Sequence, residues 1–153
     1  MILCWDKDEG IILSVKDASK KIHEAIMKYK DICSGDHRFG GTEYKLGKRE
    51  IGHVHGDHLV DIPFPIKIRN ELVESGEAQP HHILPDSGWV SVHLNKEEDV
   101  DRAINLLKRS YEIATQQKVK NIRKLKLNQY WFDLTIVILK GRHILPTSVS
   151  DYS

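Results

Sequence analysis

Gly47-Lys48-Arg49-Glu50-Ile51-Gly52-His53-Val54-His55-Gly56-Asp57-His58-Leu59-Val60-Asp61-Ile62-Pro63-Phe64-Pro65 reads as a strand, a tight turn and a second strand. Apolar and polar residues alternate on both sides of Gly56-Asp57, the pattern of a half-buried antiparallel pair. Alternate strand residues share a face, so Lys48–His55 is expected to set Arg49, Ile51, His53 and His55 together. Leu59–Phe64 is expected to turn Val60, Ile62 and Phe64 to one side and Asp61 to the other. Upstream, Thr42–Leu46 makes a hairpin with this strand across Gly47.

Working outward, Ile2–Trp5 and Gly10–Leu13 are short apolar runs split by Asp6-Lys7-Asp8-Glu9 and read as another hairpin. Ser14-Val15-Lys16-Asp17 supplies capping side chains for a helix over about Asp17–Asp31, with Ala18, Ile22, Ala25, Ile26, Tyr29 and Cys33 at helical spacing. Ser34–Gly41, with three glycines, reads as a loop. Pro65 and Gly76 bracket a short helix, and Ala78–Gly88 is a loop with two prolines. Trp89–Leu94 alternates cleanly, placing Val90, Val92 and Leu94 opposite Trp89, Ser91 and His93. Asn95 with Glu98 caps a second long helix striped by Val100, Ala103, Ile104, Leu107, Tyr111 and Ala114. A basic run of Lys118, Lys120, Arg123, Lys124 and Lys126 then leads into Tyr130–Leu139, whose composition predicts a strand. The expected organisation is one domain over residues 1–153, with a basic linker and an extra strand over 118–141.

Composition bounds the classes open to such a chain. At 153 residues it can bury a sizeable core without disulfides. Its 40% hydrophobic and 29% charged residues are those of a globular protein, and a net charge of +1 argues for neither nucleic acid nor membrane as partner. Two cysteines, Cys4 and Cys33, outside any Cys-x-x-Cys spacing, fit a reducing compartment. The N-terminus lacks the basic start and apolar run of a secretory signal, and no apolar stretch approaches a membrane span, so the cytoplasm is the expected location.

The chemistry-bearing residues concentrate in two places. Five of the nine histidines lie between His53 and His82. His53 and His55 on one strand face, with Asp61, Trp89, Ser91 and His93 on neighbouring strands, would make a polar wall able to hold a small molecule. The alternative is an exposed sheet face decorated with amphipathic residues, against which the density of histidines weighs. The loop Pro80-His81-His82-Ile83-Leu84-Pro85-Asp86-Ser87-Gly88-Trp89 adds His81, His82 and Asp86, although its prolines and glycine also suit a rigid connector. Metal binding by His53, His55 and either His58 or Asp61 stays open as a separate reading. His53-Val54-His55-Gly56-Asp57-His58 also fits the His-x-His-x-Asp-His zinc motif of the metallo-β-lactamase fold, but the element order and length are not those of its αββα sandwich.

The runs Gly40–Tyr44, Gly47–Gly56, Asp61–Pro65 and Pro80–Trp89, with the helix ending Ser110-Tyr111, together resemble the luciferase-domain family, prokaryotic proteins grouped with the fungal bioluminescence luciferase. The resemblance covers about Gly40–Ala114. It implies an oxygenase that adds dioxygen to an enolisable or phenolic substrate with neither metal nor organic cofactor. Carried over by position, His53, His55 and His82 would bind or deprotonate the substrate and Arg49 would stabilise an oxyanion, while Glu50 would support from the opposite face. Asp61, His81, Asp86, Trp89 and His93 would line the substrate site. The Trp89 strand and the Ser110-Tyr111 helix also look like MmcQ/YjbR-like proteins. That likeness implies an α+β fold, an antiparallel sheet packed on two long helices and one short one, and offers a nucleic-acid-binding alternative. A further alternative is self-association through the C-terminal strand to give a homo-oligomer.

Overall fold

The computed structural model describes residues 2–6 and 10–141, with side chains from residue 14 to residue 136. The chain is α+β, as the alternation of short strands and periodic segments predicts. Its N-terminal strands, β1 (Ile2–Asp6) and β2 (Gly10–Ser14), pair antiparallel as a separate hairpin. A six-stranded sheet is built from β3 (Ile32–Asp36), β4 (Thr42–Leu46), β5 (Arg49–His55), β6 (Leu59–Pro63), β7 (Gln79–Pro80) and β8 (Trp89–His93), in the order β3-β4-β5-β6-β8-β7. Every pairing in it is antiparallel. The described residues also form three helices: α1 (Ala18–Ile26), α2 (Ile66–Glu74) and α3 (Glu97–Gly141). Among the described residues no helix is long and apolar enough to cross a membrane.

One face of the sheet is apolar. Tyr44, Leu46, Ile51, Val54, Val60, Ile62, Val90 and Val92 are buried in one cluster with Ala18, Ile22 and Ile26 of α1 and Val100, Ala103, Leu106 and Leu107 of α3. Leu72 of α2 joins the same core. The alternation read for Trp89–Leu94 holds, with Val90, Val92 and Leu94 all buried. Burial of this interdigitated layer is the main stabilising contribution to the fold.

Several local expectations are corrected. Ser34–Asp36, expected in the Ser34–Gly41 loop, belongs instead to a strand, Ile32–Asp36, because that strand has an edge to pair with: Cys33 faces Lys45 and Asp36 faces Thr42. Helix α1 stops at Ile26, and Cys33 is exposed on β3 instead of packing as a helical residue. Asp17 adopts a left-handed conformation and offers no side-chain cap. The first turn of α1 is capped from outside, by Asp57 of the β5–β6 turn, which accepts the N–H groups of Asp17 and Ser19 and the Ser19 hydroxyl. At the start of α3 the carboxylate is Asp99 and not Glu98, its Oδ2 accepting from the N–H groups of Asn95 and Lys96.

The chain divides into two compact units, Met1–Thr115 and Gln116–Ser153. In the second, residues 118–141 are helical where a linker and a strand are expected. Lys, Arg, Gln and Leu between positions 117 and 127 are strong helix formers, and a helix satisfies its own backbone groups while a lone strand does not. The β-propensity of Tyr130, Trp131 and Phe132 needs a pleated partner to act, and β1 pairs with β2 alone among the described residues.

Candidate functional site

The other face of the sheet is polar, and its centre is a single rung across the strands. Glu43 of β4 faces His53 of β5, His53 faces Asp61 of β6, Asp61 faces Ser91 of β8, and Ser91 faces Gln79 of β7. Asp61 is fully buried. Its Oδ1 accepts a hydrogen bond of 2.5 Å from the Ser91 hydroxyl. Its Oδ2 faces three imidazoles, with the Nε2 atoms of His53, His55 and His81 at 3.4, 3.4 and 3.7 Å. None of the three has hydrogen-bond geometry, so Oδ2 is buried without a hydrogen-bond partner. His82 adds its Nδ1 at 3.9 Å from Oδ1.

Two of these rings are held by their other nitrogen. His53 Nδ1 lies 2.6 Å from Glu50 Oε1, the geometry of an imidazole N–H donating to a carboxylate. His81 Nδ1 accepts the backbone N–H groups of Ile83 and Leu84, each at 3.1 Å. An Nδ1 that accepts carries no proton, so the neutral His81 ring holds its hydrogen on Nε2, the atom turned to Asp61. Rings pack around the cluster: His37 stacks on His53 at a centroid distance of 3.8 Å, and Trp89 approaches His53 at 5.3 Å.

Electrostatically the cluster is polarised. Burial works to lower the pKa of His53, but the Asp61 and Glu50 carboxylates beside it reverse this and raise it to about 9. Burial works to raise Asp61 and Glu50, and the His53 imidazole holds both below the usual carboxylate range, with Ser91 assisting at Asp61. His55 is lowered by burial and by the charge on His53, and His81 by burial.

These groups form the floor of a cavity of about 850 Å³, whose lining also includes His37, Arg38 and Phe39 from the β3–β4 turn and Ile83 and Leu84 from the loop before β8. Of the residues expected at a site, His53, His55, Asp61, His81, His82 and Trp89 come together here. Arg49, Asp86 and His93 are not among its lining residues. The register explains Arg49. Between β4 and β5 the pairing shifts, Tyr44 facing Gly52 but Lys45 facing Glu50, which leaves Ile51 as the extra residue of a bulge. Ile51 points into the core, and Glu50, not Arg49, shares the polar face with His53. The expected grouping of Arg49, Ile51, His53 and His55 on one face is thereby corrected. Gly52 permits the bulge: with φ of 150°, a Cβ there would lie 2.5 Å from Leu107 Cδ2 and 2.9 Å from the Asp61 carbonyl oxygen.

His37, Arg38 and Phe39 escape a sequence reading that treats Ser34–Gly41 as a loop. The available signal was the pair of glycines Gly40-Gly41 closing a hairpin that presents Asp36-His37-Arg38-Phe39 at its tip. His58 is exposed and outside this cavity's lining, lining instead a smaller pocket with His55 and His82, and Asp57 is taken up in capping α1, so the four residues of the metallo-β-lactamase-like spacing do not share one cavity.

Fold and site define an α+β protein whose antiparallel sheet gives one face to the core and the other to a histidine- and carboxylate-lined cavity. Residues 48–110 match the family model of the Luciferase domain, and over that segment the chain is similar to the luciferase-domain family. The segment contains Glu50, His53, His55, Asp61, His81, His82, Trp89 and Ser91, while His37 and Glu43 lie before it. No curated protein and no solved structure matches the chain.

Proposed function

We propose that the cavity binds a small enolisable or phenolic compound and that the reaction carried out there is its oxygenation. The observation that carries this reading is Asp61, a fully buried carboxylate ringed by the Nε2 atoms of three histidines at one wall of a cavity sized for a small organic molecule. Trp89 and Phe39 offer faces for an aromatic or conjugated ring, and the imidazoles offer donors and proton acceptors for its hydroxyl or enol. The luciferase-domain match supports dioxygen as the co-substrate. The substrate gives its proton to an imidazole, its electron-rich carbon forms a bond to dioxygen, and the resulting peroxide takes the proton back, so substrate and dioxygen combine to a hydroperoxide without an external reductant. Arg49, outside the lining, has no part in this scheme.

The test is oxygen uptake by the purified protein across a panel of hydroxypyrones, phenols and 1,3-diketones, beside Asp61→Asn. Uptake with one class, reduced at least about 100-fold in the variant, is the expected result. Absence of both uptake and binding across the panel would overturn the reading.

A second reading concerns the unit Gln116–Ser153. Val119, Ile122, Leu125, Tyr130, Trp131 and Phe132 are all exposed on its helix, which supports self-association through that segment. A monomeric mass by sedimentation at micromolar concentration would count against it.

A further inference from the structure

We infer that His53, His55 and Asp61 form a binding site for one divalent first-row transition-metal ion. The site departs from the metal-free chemistry that the family resemblance implies, and it rests on the donor atoms alone.

Three observations converge. Asp61 Oδ2 is fully buried, has no hydrogen-bond partner and points at the imidazoles. A buried carboxylate oxygen without a hydrogen bond is costly unless a positive charge completes it, and a metal ion held by neutral imidazoles would supply that charge in place of a protonated His53. Second, the two distances that meet at Asp61 Oδ2 suit donors around one ion, and His53 and His55 also offer ring nitrogens within 4.8 Å of each other. Two donors each about 2.1 Å from a metal lie about 3.4 Å apart at a tetrahedral angle, and the Nε2 atoms of His53 and His55 are each 3.4 Å from Oδ2. Third, His53 is oriented as metal-bound histidines are, its Nδ1 held by the Glu50 carboxylate at 2.6 Å so that Nε2 is the free donor. Two imidazoles and one carboxylate leave further coordination positions open toward the cavity, where a substrate or water can bind.

His81 is the informative exclusion. It sits almost as close to Oδ2, at 3.7 Å, and distance alone would make it a ligand. Its Nδ1 already accepts two backbone N–H groups, so its Nε2 carries a hydrogen and has no lone pair to give. His81 instead turns its Nε2–H toward Asp61 at 3.7 Å. The ligand set is therefore two histidines and one aspartate, with His81 as a hydrogen-bond donor beside it.

The experiment is titration of metal-stripped full-length protein with Co²⁺, followed by the visible ligand-field absorption of the bound ion and by equilibrium dialysis. No substrate is required. One Co²⁺ per chain is expected, with affinity at least about 100-fold weaker in His55→Ala and in Asp61→Asn, and within about threefold of wild type in His81→Gln. His55 is the safer variant for folding, being partly exposed, and a thermal melt without metal checks that it is native. Loss of Co²⁺ binding in His81→Gln equal to that in His55→Ala would overturn the assignment of the ligands. No saturable binding to wild type would overturn the site itself. Oxygen uptake undiminished in chelator-treated protein that binds no Co²⁺ would remove the metal and leave the oxygenation reading standing, whereas Co²⁺ bound as predicted without uptake would do the reverse.

Discussion

Replacing Asp57 by alanine removes the cap of a helix 38 residues away in sequence. Helix α1 begins at Ala18, and its own N-cap residue, Asp17, makes no capping hydrogen bond. The Asp57 carboxylate fills that role with Oδ2 on the Asp17 N–H at 3.0 Å, and Oδ1 on the Ser19 N–H at 2.8 Å and the Ser19 hydroxyl at 2.6 Å. Loss of an N-terminal cap costs roughly 0.5–2 kcal/mol. The favourable placement of a negative charge at a helix N-terminus adds about 0.3–1 kcal/mol. Because the site is only partly buried, water replaces some of what is lost, and about 2 kcal/mol is the expected total. For a folded core of this size that corresponds to a fall in Tm of about 8 °C. Asp57→Asn keeps one acceptor oxygen and should lose about half as much.

The pH dependence makes the prediction specific. Burial works to raise the Asp57 pKa, but the Ser19 hydroxyl and N–H, the Asp17 N–H and nearby His58 hold it below the ordinary aspartate value. A carboxylate with a depressed folded pKa contributes stability that is fully present above its unfolded pKa, about 3.9. That contribution is lost as pH falls through the lower folded value. Differential scanning calorimetry at pH 6 and pH 3 should therefore show the full Tm deficit of Asp57→Ala at the higher pH and a shrunken one at the lower. A deficit under about 2 °C at pH 6, or one unchanged at pH 3, would refute the cap.

Three further outcomes follow from the packing. Gly52→Ala should destabilise by about 3 kcal/mol or more, since the Asp61 carbonyl at 2.9 Å cannot retreat as the Leu107 side chain can; an unchanged urea midpoint would contradict this. Leu107→Ala, at a fully buried position against β5, should cost about 2–5 kcal/mol by the same measurement. A chain ended at Thr115 keeps every residue of the buried core cluster and should unfold cooperatively with a Tm close to that of the full chain, as read by circular dichroism.

Most of the sheet was legible because its core face is written in period two. Val60 and Ile62, Val90 and Val92 alternate against polar residues, and nothing in the structure overrides them. What escaped did so for physical reasons that a linear pattern does not carry. Ile32–Asp36 has weak strand composition and becomes a strand because β4 offers an edge. Tyr130–Phe132 has strong strand composition and becomes helical because no strand among the described residues pairs with it. Asp17, read as a cap, is bypassed by Asp57, a long-range partner that only the folded turn brings near. At the candidate site, density and alternation point to His53, His55, Asp61, His81 and Trp89, which line one cavity, while His37 lies in a segment that reads as loop. Arg49 was grouped with His53 by a periodicity that holds only in an unbroken strand.

That last case ties the fold to the site. Without the bulge, period two would place Arg49 with His53 and leave Glu50 on the opposite face, as the sequence alone suggests. The extra residue, Ile51, turns its side chain into the core and brings Glu50 onto the face of His53, where it holds Nδ1 and aims Nε2 at Asp61. The bulge in turn depends on Gly52, whose missing Cβ lets Leu107 of α3 and the Asp61 backbone approach. Asp61 meets His53 because Val60 and Val54 are registered on the core side of the same pair of strands. A slip of one residue would send the imidazoles to the core and the valines to the cavity. The hydrophobic register that stabilises the sheet is thus also what assembles the cluster, and Gly52, which touches no ligand, belongs to the site's construction as much as His53 does.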